Sequence, residues 1–263
     1  MIPPSPDVAG LGGRTALVTG AGSGLGRAIA LALGRQGVTP VLVGRTRSTL
    51  DAVAAELAEI GSAASVEVCD VVDAADVRAL GDRLADRDVS ILINNAGTGG
   101  PVADLVDIDP DAWDATLATN VRSVFLMCRR FLPGMIARGR GDVINLASVT
   151  GKRPLPGRTP YAASKMAVIG LTTTLAWEVG KFGVTVNSLS PGPVDGPRMR
   201  HNFTREAERT GRTEDAAQAE YVARGALGRL LDEDEVGRAV VAMLSMTGLT
   251  GADIDLSTGM VAR

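Results

Sequence analysis

The stretch TALVTGAGSGLG, Thr15–Gly26, decides the fold. Its first five residues are apolar or β-branched, as in a short buried strand, and the segment that follows has the periodicity of a helix. The glycines form the pattern G-x-x-x-G-x-G on Gly20, Gly24 and Gly26, whereas Leu25 breaks the register of G-x-G-x-x-G. Such a turn lets the backbone approach a phosphate, which the N–H groups at the start of the helix attract. The stretch therefore predicts a strand, a phosphate-binding turn and a helix.

Outward from this stretch, strand-like and helix-like segments alternate along the chain. Short apolar runs rich in β-branched residues are separated by segments with helical periodicity. Strands separated by helices predict a parallel sheet that is covered on both faces. We therefore predict an α/β fold, a single doubly wound domain whose seven-stranded, mostly parallel sheet has helices on both faces. The predicted strands are 15–19, 40–44, 65–69, 91–95, 142–148, 184–190 and 252–257.

The start of the chain and one internal stretch fall outside this alternation. Three early prolines, without a basic segment followed by an apolar run, predict a flexible N-terminal arm over residues 1–13 and no signal peptide. Residues 14–263 contain no linker or repeat and are predicted to form one domain. Within it, the polar stretch 195–224 is expected to form a lid of short helices over a substrate.

Two long helices have recognisable start signals. Asp109 and Thr159 each precede a proline, and a capping residue followed by proline favours the first turn of a helix. The predicted helices, 110–137 and 159–181, carry apolar residues on more than one face, which indicates burial against other elements or a second copy of the chain. These residues include Leu117, Val121, Phe125, Ala163, Ile169, Leu171 and Trp177.

The composition restricts the partners. The chain has 263 residues, 27 basic and 30 acidic side chains and a net charge of −3, so neither nucleic acid nor a membrane is a predicted partner. No apolar run reaches the ~18 residues of a membrane span. Cys69, Cys128 and His201 are too few and too scattered to predict disulfides or a metal site. A cytoplasmic location is the expectation.

The end of the second strand bears on the choice of nucleotide. Proteins that bind NAD usually place a carboxylate here to hold the ribose 2′-hydroxyl. This chain has Arg45 instead, with Arg47 as a second cation, and a guanidinium pairs well with a 2′-phosphate. The sequence therefore favours NADP(H), with NAD(H) as the alternative.

Tyr161 and Lys165 form a second chemical signal. They are four residues apart in one predicted helix, so both side chains lie on the same helix face. A phenol has a pKa near ~10, and a neighbouring ammonium favours the phenolate and lowers that pKa. A tyrosine in this setting acts as an acid and a base. Alone the pair is a weak motif, since the same spacing decorates many helix surfaces.

Taken together, the motifs resemble the short-chain dehydrogenase/reductase family, whose members have a single Rossmann-fold domain. The resemblance covers about residues 13–260, nearly the whole chain, and is far more specific than any one motif. The residues that carry it are TGAGSGLG at Thr19–Gly26, NNAG at Asn94–Gly97, Asn120, Ser148, Tyr161 with Lys165, and Pro191–Gly192.

The resemblance implies four catalytic residues. Tyr161 would exchange a proton with the substrate oxygen, and Lys165 would lower the pKa of Tyr161 and bind the nicotinamide ribose. Ser148 would hold the substrate oxygen. Asn120 would anchor a water that links Lys165 to solvent.

It also implies a cofactor cleft. Asp70 would meet the adenine amino group and Val71 would pack on the ring. The implied cofactor-binding residues are Gly20, Ser23, Gly24, Leu25, Gly26, Arg45, Thr46, Asp70, Val71, Asn95, Ala96, Gly97, Tyr161, Lys165, Pro191, Gly192 and Val194, and no metal is implied.

Two positions depart from the family pattern. Gly196 stands near the place where many members have a threonine that holds the nicotinamide carboxamide. Ser257–Thr258–Gly259 replaces the Asp-Gly-Gly of many relatives. A side-chain contact to the carboxamide and the geometry of a tetramer are therefore open.

The expected function is that of an NADP(H)-dependent oxidoreductase that interconverts a ketone and a secondary alcohol, similar to a 3-oxoacyl reductase, in a homotetramer or homodimer. The alternatives are an NAD-dependent polyol, steroid or cyclic-alcohol dehydrogenase and a non-catalytic regulator that senses dinucleotides. Basic residues near the expected pocket walls either attract an anionic small-molecule substrate or form a solvated rim. They are Lys152, Arg153, Arg158, Arg198 and Arg200.

Overall fold

The structure, a computed structural model, describes residues 10–261 apart from the side chain of Arg198. Residues 1–9 of the predicted arm, and the contacts of the Arg198 side chain, lie outside this description. The described end of the arm packs on the domain, since Leu11 is 1% exposed and belongs to the hydrophobic core. Because burial of an apolar side chain stabilises the fold, the folded domain includes Leu11 and begins before residue 14.

Seven short strands form one sheet. They are β1 Thr15–Thr19, β2 Thr39–Gly44, β3 Ser65–Val68, β4 Val89–Asn94, β5 Gly141–Leu146, β6 Val184–Pro191 and β7 Asp253–Leu256. Their order is β3-β2-β1-β4-β5-β6-β7, and every pairing is parallel. The predicted α/β class is confirmed, and the sheet is fully parallel instead of mostly parallel. The strand order reverses between β1 and β4, where the carboxyl ends of the strands open into a crevice.

Helices cover both faces of the sheet. Within the described residues they are α1 Gly24–Gly34, α2 Arg47–Glu59, α3 Ala74–Arg83, α4 Pro110–Leu117, α5 Ser123–Arg138, α6 Thr159–Val179, α7 Pro197–Thr210, α8 Glu214–Ala223 and α9 Glu233–Ser245. Successive strand residues point to opposite faces, so Leu17 lies in the layer under α3, α5 and α6, and Val18 in the layer under α1, α2 and α9. Over residues 10–261, none of the helices has the length and apolar content to cross a membrane.

One of the two predicted helix starts is displaced. Asp109 caps α4 as predicted, because its carboxylate accepts a hydrogen bond from the backbone N–H of Asp111 at 2.7 Å. Thr159 is already the first residue of α6, and Arg158 precedes the helix without a side-chain cap bond. Pro160 at the second helical position is compatible with this start, because N–H groups in a first turn have no partner within the helix.

The predicted helix over 110–137 contains a π-helical turn. The turn spans Ala118–Arg122, between α4 and α5, and has Asn120 at its centre. Such a turn accommodates one extra residue and is often found where a side chain is needed at a site. The apolar pattern of the sequence continues through this turn, so the sequence predicts one regular helix where the structure has two joined by a π-helical turn.

The predicted lid region contains α7 and α8, which pack on each other. Met199, Phe203, Ala217 and Tyr221 form a small apolar cluster between them. The rings of Phe203 and Tyr221 meet edge to face at 5.5 Å between centroids. This cluster is separate from the two main core layers, so the two helices form a layer of their own, here called the α7–α8 layer.

Candidate active site

The glycine-rich turn requires glycine at three positions, Gly20 and Gly24 for their backbone conformation and Gly26 for close packing. Gly20 and Gly24 have left-handed backbones, with φ of 65° and 54°, a conformation that glycine adopts without strain. A Cβ on Gly26 would overlap the carbonyl oxygen of Gly20 and approach Asn95 Nδ2 to 2.7 Å. Gly24 and Leu25, the first residues of α1, line the crevice. The N-terminus of a helix therefore borders the site.

Thr19 links the turn to the NNAG segment, a role that the motif comparison missed. Its hydroxyl accepts hydrogen bonds from the backbone N–H groups of Asn95 at 2.9 Å and Ala96 at 3.0 Å. Asn95 Nδ2 donates in return to the Thr19 carbonyl at 2.9 Å. These bonds join the ends of β1 and β4, the two strands that flank the crevice.

The cations after β2 have different surroundings. Arg45 is exposed and lines the crevice. Arg47 pairs with Asp51 at 3.0 Å on the surface of α2 and does not line the crevice. Thr46, also predicted to bind the cofactor, precedes α2, and its carbonyl accepts a hydrogen bond from Thr49 Oγ1 at 2.9 Å. Arg45 is thus the cation of this segment that faces the site.

Asp70 and Val71 follow β3 and border the same end of the crevice. Asp70 Oδ1 accepts a hydrogen bond from the backbone N–H of Val72 at 3.1 Å, which orients the carboxylate. The neighbouring Cys69 is buried, and this burial raises the pKa of its thiol to about 12. The thiol therefore stays protonated at neutral pH and is a poor nucleophile.

Asn120 is buried between the segment after β4 and helix α6, and it does not line the crevice. Its Oδ1 accepts from the backbone N–H of Thr98 at 2.7 Å, and its Nδ2 donates to the Thr98 carbonyl and to Ser164 Oγ, both at 2.9 Å. Ser164 Oγ donates in turn to the carbonyl of Tyr161 at 2.7 Å. The π-helical turn thus directs this amide to the backbone that carries Tyr161.

Tyr161, Lys165 and Ser148 line one crevice. Lys165 Nζ lies 5.8 Å from the centroid of the Tyr161 ring and donates a hydrogen bond to the Leu146 carbonyl at 2.7 Å. Ser148 Oγ accepts from the backbone N–H of Thr150 at 3.2 Å, so its own proton is available to another acceptor. An acid–base group, a cation and a hydroxyl donor therefore face one space.

A buried amide network lies beneath these residues. Asn94 Nδ2 donates to Asn145 Oδ1 at 2.8 Å, and Asn145 Nδ2 donates to Thr172 Oγ1 at 2.9 Å. Asn94 Nδ2 also contacts Cys128 Sγ at 3.4 Å, and burial raises the pKa of that thiol to about 12. These hydrogen bonds join β4, β5 and α6 beneath the site.

The segment after Ser148 is anchored to the last strand. Lys152 Nζ forms ion pairs with Asp253 and Asp255 of β7. Asp253 Oδ1 also accepts hydrogen bonds from the hydroxyls of Ser188 at 2.7 Å and Ser190 at 2.8 Å. Lys152 is therefore committed to an internal ion pair, which accounts for one of the basic residues noted in the sequence.

The crevice is one continuous cleft with a volume of about 1130 Å³. Three of the predicted site residues, Gly26, Thr46 and Asn120, do not line it. The predicted residues that do line it are Gly20, Ser23, Gly24, Leu25, Arg45, Asp70, Val71, Asn95, Ala96, Gly97, Ser148, Tyr161, Lys165, Pro191, Gly192 and Val194.

Beyond Tyr161, the cleft reaches the α7–α8 layer; we call this part the substrate end. Arg158 is only 5% exposed and its guanidinium carbon lies 5.3 Å from the centroid of the Tyr161 ring. It donates hydrogen bonds to the Gly99 carbonyl and to Asn202 Oδ1 of α7, both at 3.0 Å. Burial raises the pKa of Tyr221, which also lines this end. His201 is exposed on α7 and does not line the cleft.

A carboxylate missed by the motif comparison borders the glycine turn. Glu233, the first residue of α9, lines the cleft, and its Oε1 lies 3.6 Å from the position of a Cβ built on Gly24 and 3.1 Å from one built on Gly196. Burial raises the pKa of Glu233. Glu233 belongs to none of the motifs found in the sequence, and it is more than 200 positions from the glycine-rich turn. Its place beside the turn is visible only in the folded chain.

Comparisons with known proteins find relatives in sequence and in fold. A sequence profile of the family described as short chain dehydrogenase matches residues 14–208. A protein of Streptomyces virginiae, described as a ketoacyl reductase of the monensin polyketide synthase, is 39% identical over 240 residues, which cover 89% of this chain and 91% of the relative. A variant of actinorhodin polyketide ketoreductase, solved with NADPH, has a TM-score of 0.89 at 30% identity and covers 94% of this chain and 97% of its own. NAD⁺-bound xylitol dehydrogenase has a TM-score of 0.92 at 28% identity, with coverage of 95% and 100%.

Proposed function

Because the chain belongs to the short-chain dehydrogenase family, we propose that it is an NADP(H)-dependent oxidoreductase that interconverts a ketone and a secondary alcohol, as 3-oxoacyl reductases do. The observation that carries the proposal is the placement of Tyr161 and Lys165 in the same cleft as the glycine-rich turn. One cleft thus offers a dinucleotide cradle and a proton donor.

The geometry of the cleft fits a dinucleotide. Gly20, Gly24 and Gly26 leave the backbone of the turn open beside the N-terminus of α1, which suits a pyrophosphate. Arg45 would pair with the 2′-phosphate, and Asp70 would accept a hydrogen bond from the adenine amino group. When bound, the nicotinamide supplies or accepts a hydride. The remaining residues proposed to bind the dinucleotide are Ser23, Leu25, Thr46, Val71, Asn95, Ala96, Gly97, Tyr161, Lys165, Pro191, Gly192 and Val194.

The protein's own residues handle the proton. Tyr161 gives its phenolic proton to the carbonyl oxygen during reduction and takes it back during oxidation. The ammonium of Lys165 stabilises the phenolate that remains. The hydroxyl proton of Ser148 hydrogen-bonds to the substrate oxygen as negative charge develops there. Tyr161 and Ser148 thus act on the substrate oxygen, and Lys165 acts on Tyr161.

Asn120 is proposed as a positioning residue. Its amide holds both backbone groups of Thr98, and through Ser164 it fixes the carbonyl of Tyr161. The sequence-based proposal that Asn120 anchors a water beside Lys165 stays a prediction. In either role, Asn120 acts through Tyr161 or Lys165 and not on the substrate.

Replacement of Tyr161 tests the proposal. The change Tyr161→Phe removes the proton but keeps the ring, so turnover with NADPH and a ketone should fall by about 100-fold or more. NADPH binding, followed by nicotinamide fluorescence, should change less than about twofold, since the loss of one hydrogen bond outside the phosphate cradle is a minor term. Near-normal turnover would refute the assignment of Tyr161, and absence of NADPH binding by the wild-type protein would refute the proposed function.

The alternative is an NAD-dependent polyol, steroid or cyclic-alcohol dehydrogenase. NAD⁺-bound xylitol dehydrogenase and the NADPH-bound ketoreductase match the fold of this chain about equally closely, with TM-scores of 0.92 and 0.89, so the fold does not favour either nucleotide. The observation that favours NADP(H) is Arg45, a cation that faces the cleft where NAD binders usually carry a carboxylate. Titration with NADPH and NADH decides between the two.

We also propose that the chain forms a cytoplasmic homotetramer or homodimer through α5 and α6. Phe125 of α5 is 48% exposed and Trp177 of α6 is 89% exposed, and exposed large apolar side chains favour a protein partner. Cys69 and Cys128 are free thiols, which suits a reducing compartment. A groove of about 290 Å³ on this face is lined by Phe125, Cys128, Arg129, Leu132, Leu171, Thr174, Leu175 and Glu178.

A further inference from the structure

We propose that the substrate end of the cleft binds a carboxylate through Arg158 and Arg153, and that the substrate is a short-chain oxo acid or its hydroxy acid. The proposal rests on the ketone–alcohol chemistry proposed above. It adds the chemical class of the substrate and the residues that recognise it.

The position of Arg158 carries the argument. Its side chain is 95% removed from solvent, yet its guanidinium lies directly beside the Tyr161 ring, inside the cleft. Its hydrogen bonds to the Gly99 carbonyl and Asn202 Oδ1 go to uncharged acceptors that hold the plane of the guanidinium in place. A guanidinium binds a carboxylate with two parallel hydrogen bonds, and an anion paired with it offsets part of the cost of burying the cation.

Arg153 adds a second donor in the same space. It lines the cleft, and its Nη1 is buried without a hydrogen-bond partner among the described residues. Buried N–H groups without partners are uncommon in native proteins and often indicate a ligand or water that completes them. Arg153 comes from the segment that begins at Ser148, so this donor and the substrate-oxygen donor belong to one loop.

The charges around this end favour an anion. Arg205 and Arg224 also line it, and Arg224 pairs with Glu220 outside the cleft. Asp195 and Glu233 border this part of the cleft as acidic residues, and Asp195 pairs with Arg200 at 2.9 Å. Solvent screens the charges of Arg153 and Arg158 less than it screens exposed charges, because both side chains lie in a partly enclosed cleft. The two cations therefore attract a small anion more strongly than exposed cations would.

The short distance between Arg158 and Tyr161 sets the size of the substrate. A carboxylate on the guanidinium and a carbonyl oxygen at the phenol are separated by only a few bonds, since the guanidinium carbon is 5.3 Å from the ring centroid. In reduction the carbonyl π bond breaks, the carbon gains a hydride with its two electrons from NADPH, and the oxygen gains the Tyr161 proton. NADPH becomes NADP⁺, and the carboxylate is unchanged.

Matched pairs of acids and esters test the proposal. The pairs are 2-, 3- and 4-oxopentanoate, each with its methyl ester, which has the same skeleton without the charge. We expect at least one acid to exceed its ester by about tenfold or more in kcat/KM. Arg158→Gln should then lower kcat/KM for that acid by about 100-fold and for the ester by less than about threefold. Arg158→Lys, which keeps the charge but loses the fork, should fall between the two.

Arg212→Gln is the matched control, because Arg212 lies on the surface next to α8, pairs with Glu220 and does not line the cleft. It should leave the preference for the acid unchanged. Esters reduced as well as acids in all three pairs, or acid and ester lost equally in Arg158→Gln, would overturn the carboxylate site.

A binding measurement on the wild-type protein covers the case in which Arg158→Gln does not fold. Pentanoate should raise the Tm in the presence of NADP⁺, and pentanamide should not. Equal shifts, or no shift with either, would overturn the carboxylate site even if neutral ketones are reduced. A shift with pentanoate but no reduction of any carbonyl would instead count against the proposed oxidoreductase function.

Discussion

Lys165 Nζ donates a hydrogen bond of 2.7 Å to the carbonyl oxygen of Leu146, the last residue of β5. The bond ties the side chain of the α6 helix to the end of the strand that precedes Ser148. Lys165 is 6% exposed, and this hydrogen bond restrains its ammonium near the Tyr161 ring. The strand, and not only the helix, therefore sets the distance between the cation and the phenol.

Loss of this ammonium should change the pH dependence of the reaction. Lys165→Met removes the charge that favours the phenolate, so the pKa of Tyr161 rises and alcohol oxidation, which needs the phenolate, should require higher pH. We expect kcat to fall by about 100-fold or more, with the rise of kcat displaced to higher pH. Lys181→Met, which removes an exposed lysine beyond the end of α6, is the control. An unchanged pH profile in Lys165→Met would contradict the proposed role.

Arg45 should select the phosphorylated dinucleotide. Arg45→Gln is expected to raise the Kd for NADPH by about tenfold and that for NADH by less than about twofold, because one charge-assisted contact at an exposed site is lost. Arg47→Gln makes the same change two residues away, where the guanidinium pairs with Asp51 and does not line the cleft. Fluorescence titration measures both constants. Equal weakening of NADPH and NADH in Arg45→Gln would count against 2′-phosphate recognition.

The amide network beneath the site should contribute to stability. Thr172→Val keeps the shape of the side chain but leaves Asn145 Nδ2 without its acceptor, so the free energy of unfolding should fall by about 1–3 kcal/mol. Thr173→Val removes a hydroxyl that bonds only within α6, and should change stability by less than about 0.5 kcal/mol. Urea denaturation compares the two variants. Equal stabilities would show that the network contributes little.

The exposed face of α5 and α6 should control assembly. Phe125→Glu places a charge in the groove formed by these helices, and burying an unpaired carboxylate between subunits is costly, so the variant should dissociate. Leu227→Glu changes a 64% exposed leucine away from that groove and should leave the assembly intact. Light scattering coupled to gel filtration gives the mass of each. An unchanged mass for Phe125→Glu would place the interface elsewhere.

Strands and helices were predictable where a local sequence pattern, such as an apolar run followed by a glycine turn, determined the structure. The bounds of β1 agree with the predicted strand 15–19 because the glycine turn that follows ends it. The end of β5 did not follow from the sequence. Its apolar pattern continues to Ser148, but strand pairing with β6 stops at Leu146. Pairing depends on the neighbouring strand, which a single segment does not reveal.

The same distinction holds in the candidate site. The motif spacing predicts that Ser148, Tyr161 and Lys165 belong to one site, because each has a fixed place at a strand end or on a helix. The structure places all three in one cleft. It did not reveal Ser164, which joins Asn120 to the backbone of Tyr161 across 44 positions. A serine within a helix has no pattern of its own, so its partner is visible only when two distant elements are packed together.

The ion pairs of Lys152 with Asp253 and Asp255 have a consequence for synthesis of the chain. The loop that carries Ser148 is held by β7, so it lacks this anchor until residues 253–255 have been synthesised and have joined the sheet. A nascent chain that stops before residue 253 contains every motif residue but not the contact that orders this loop. Order in this loop thus depends on β7, because Asp253 lies 101 positions beyond Lys152 in the chain.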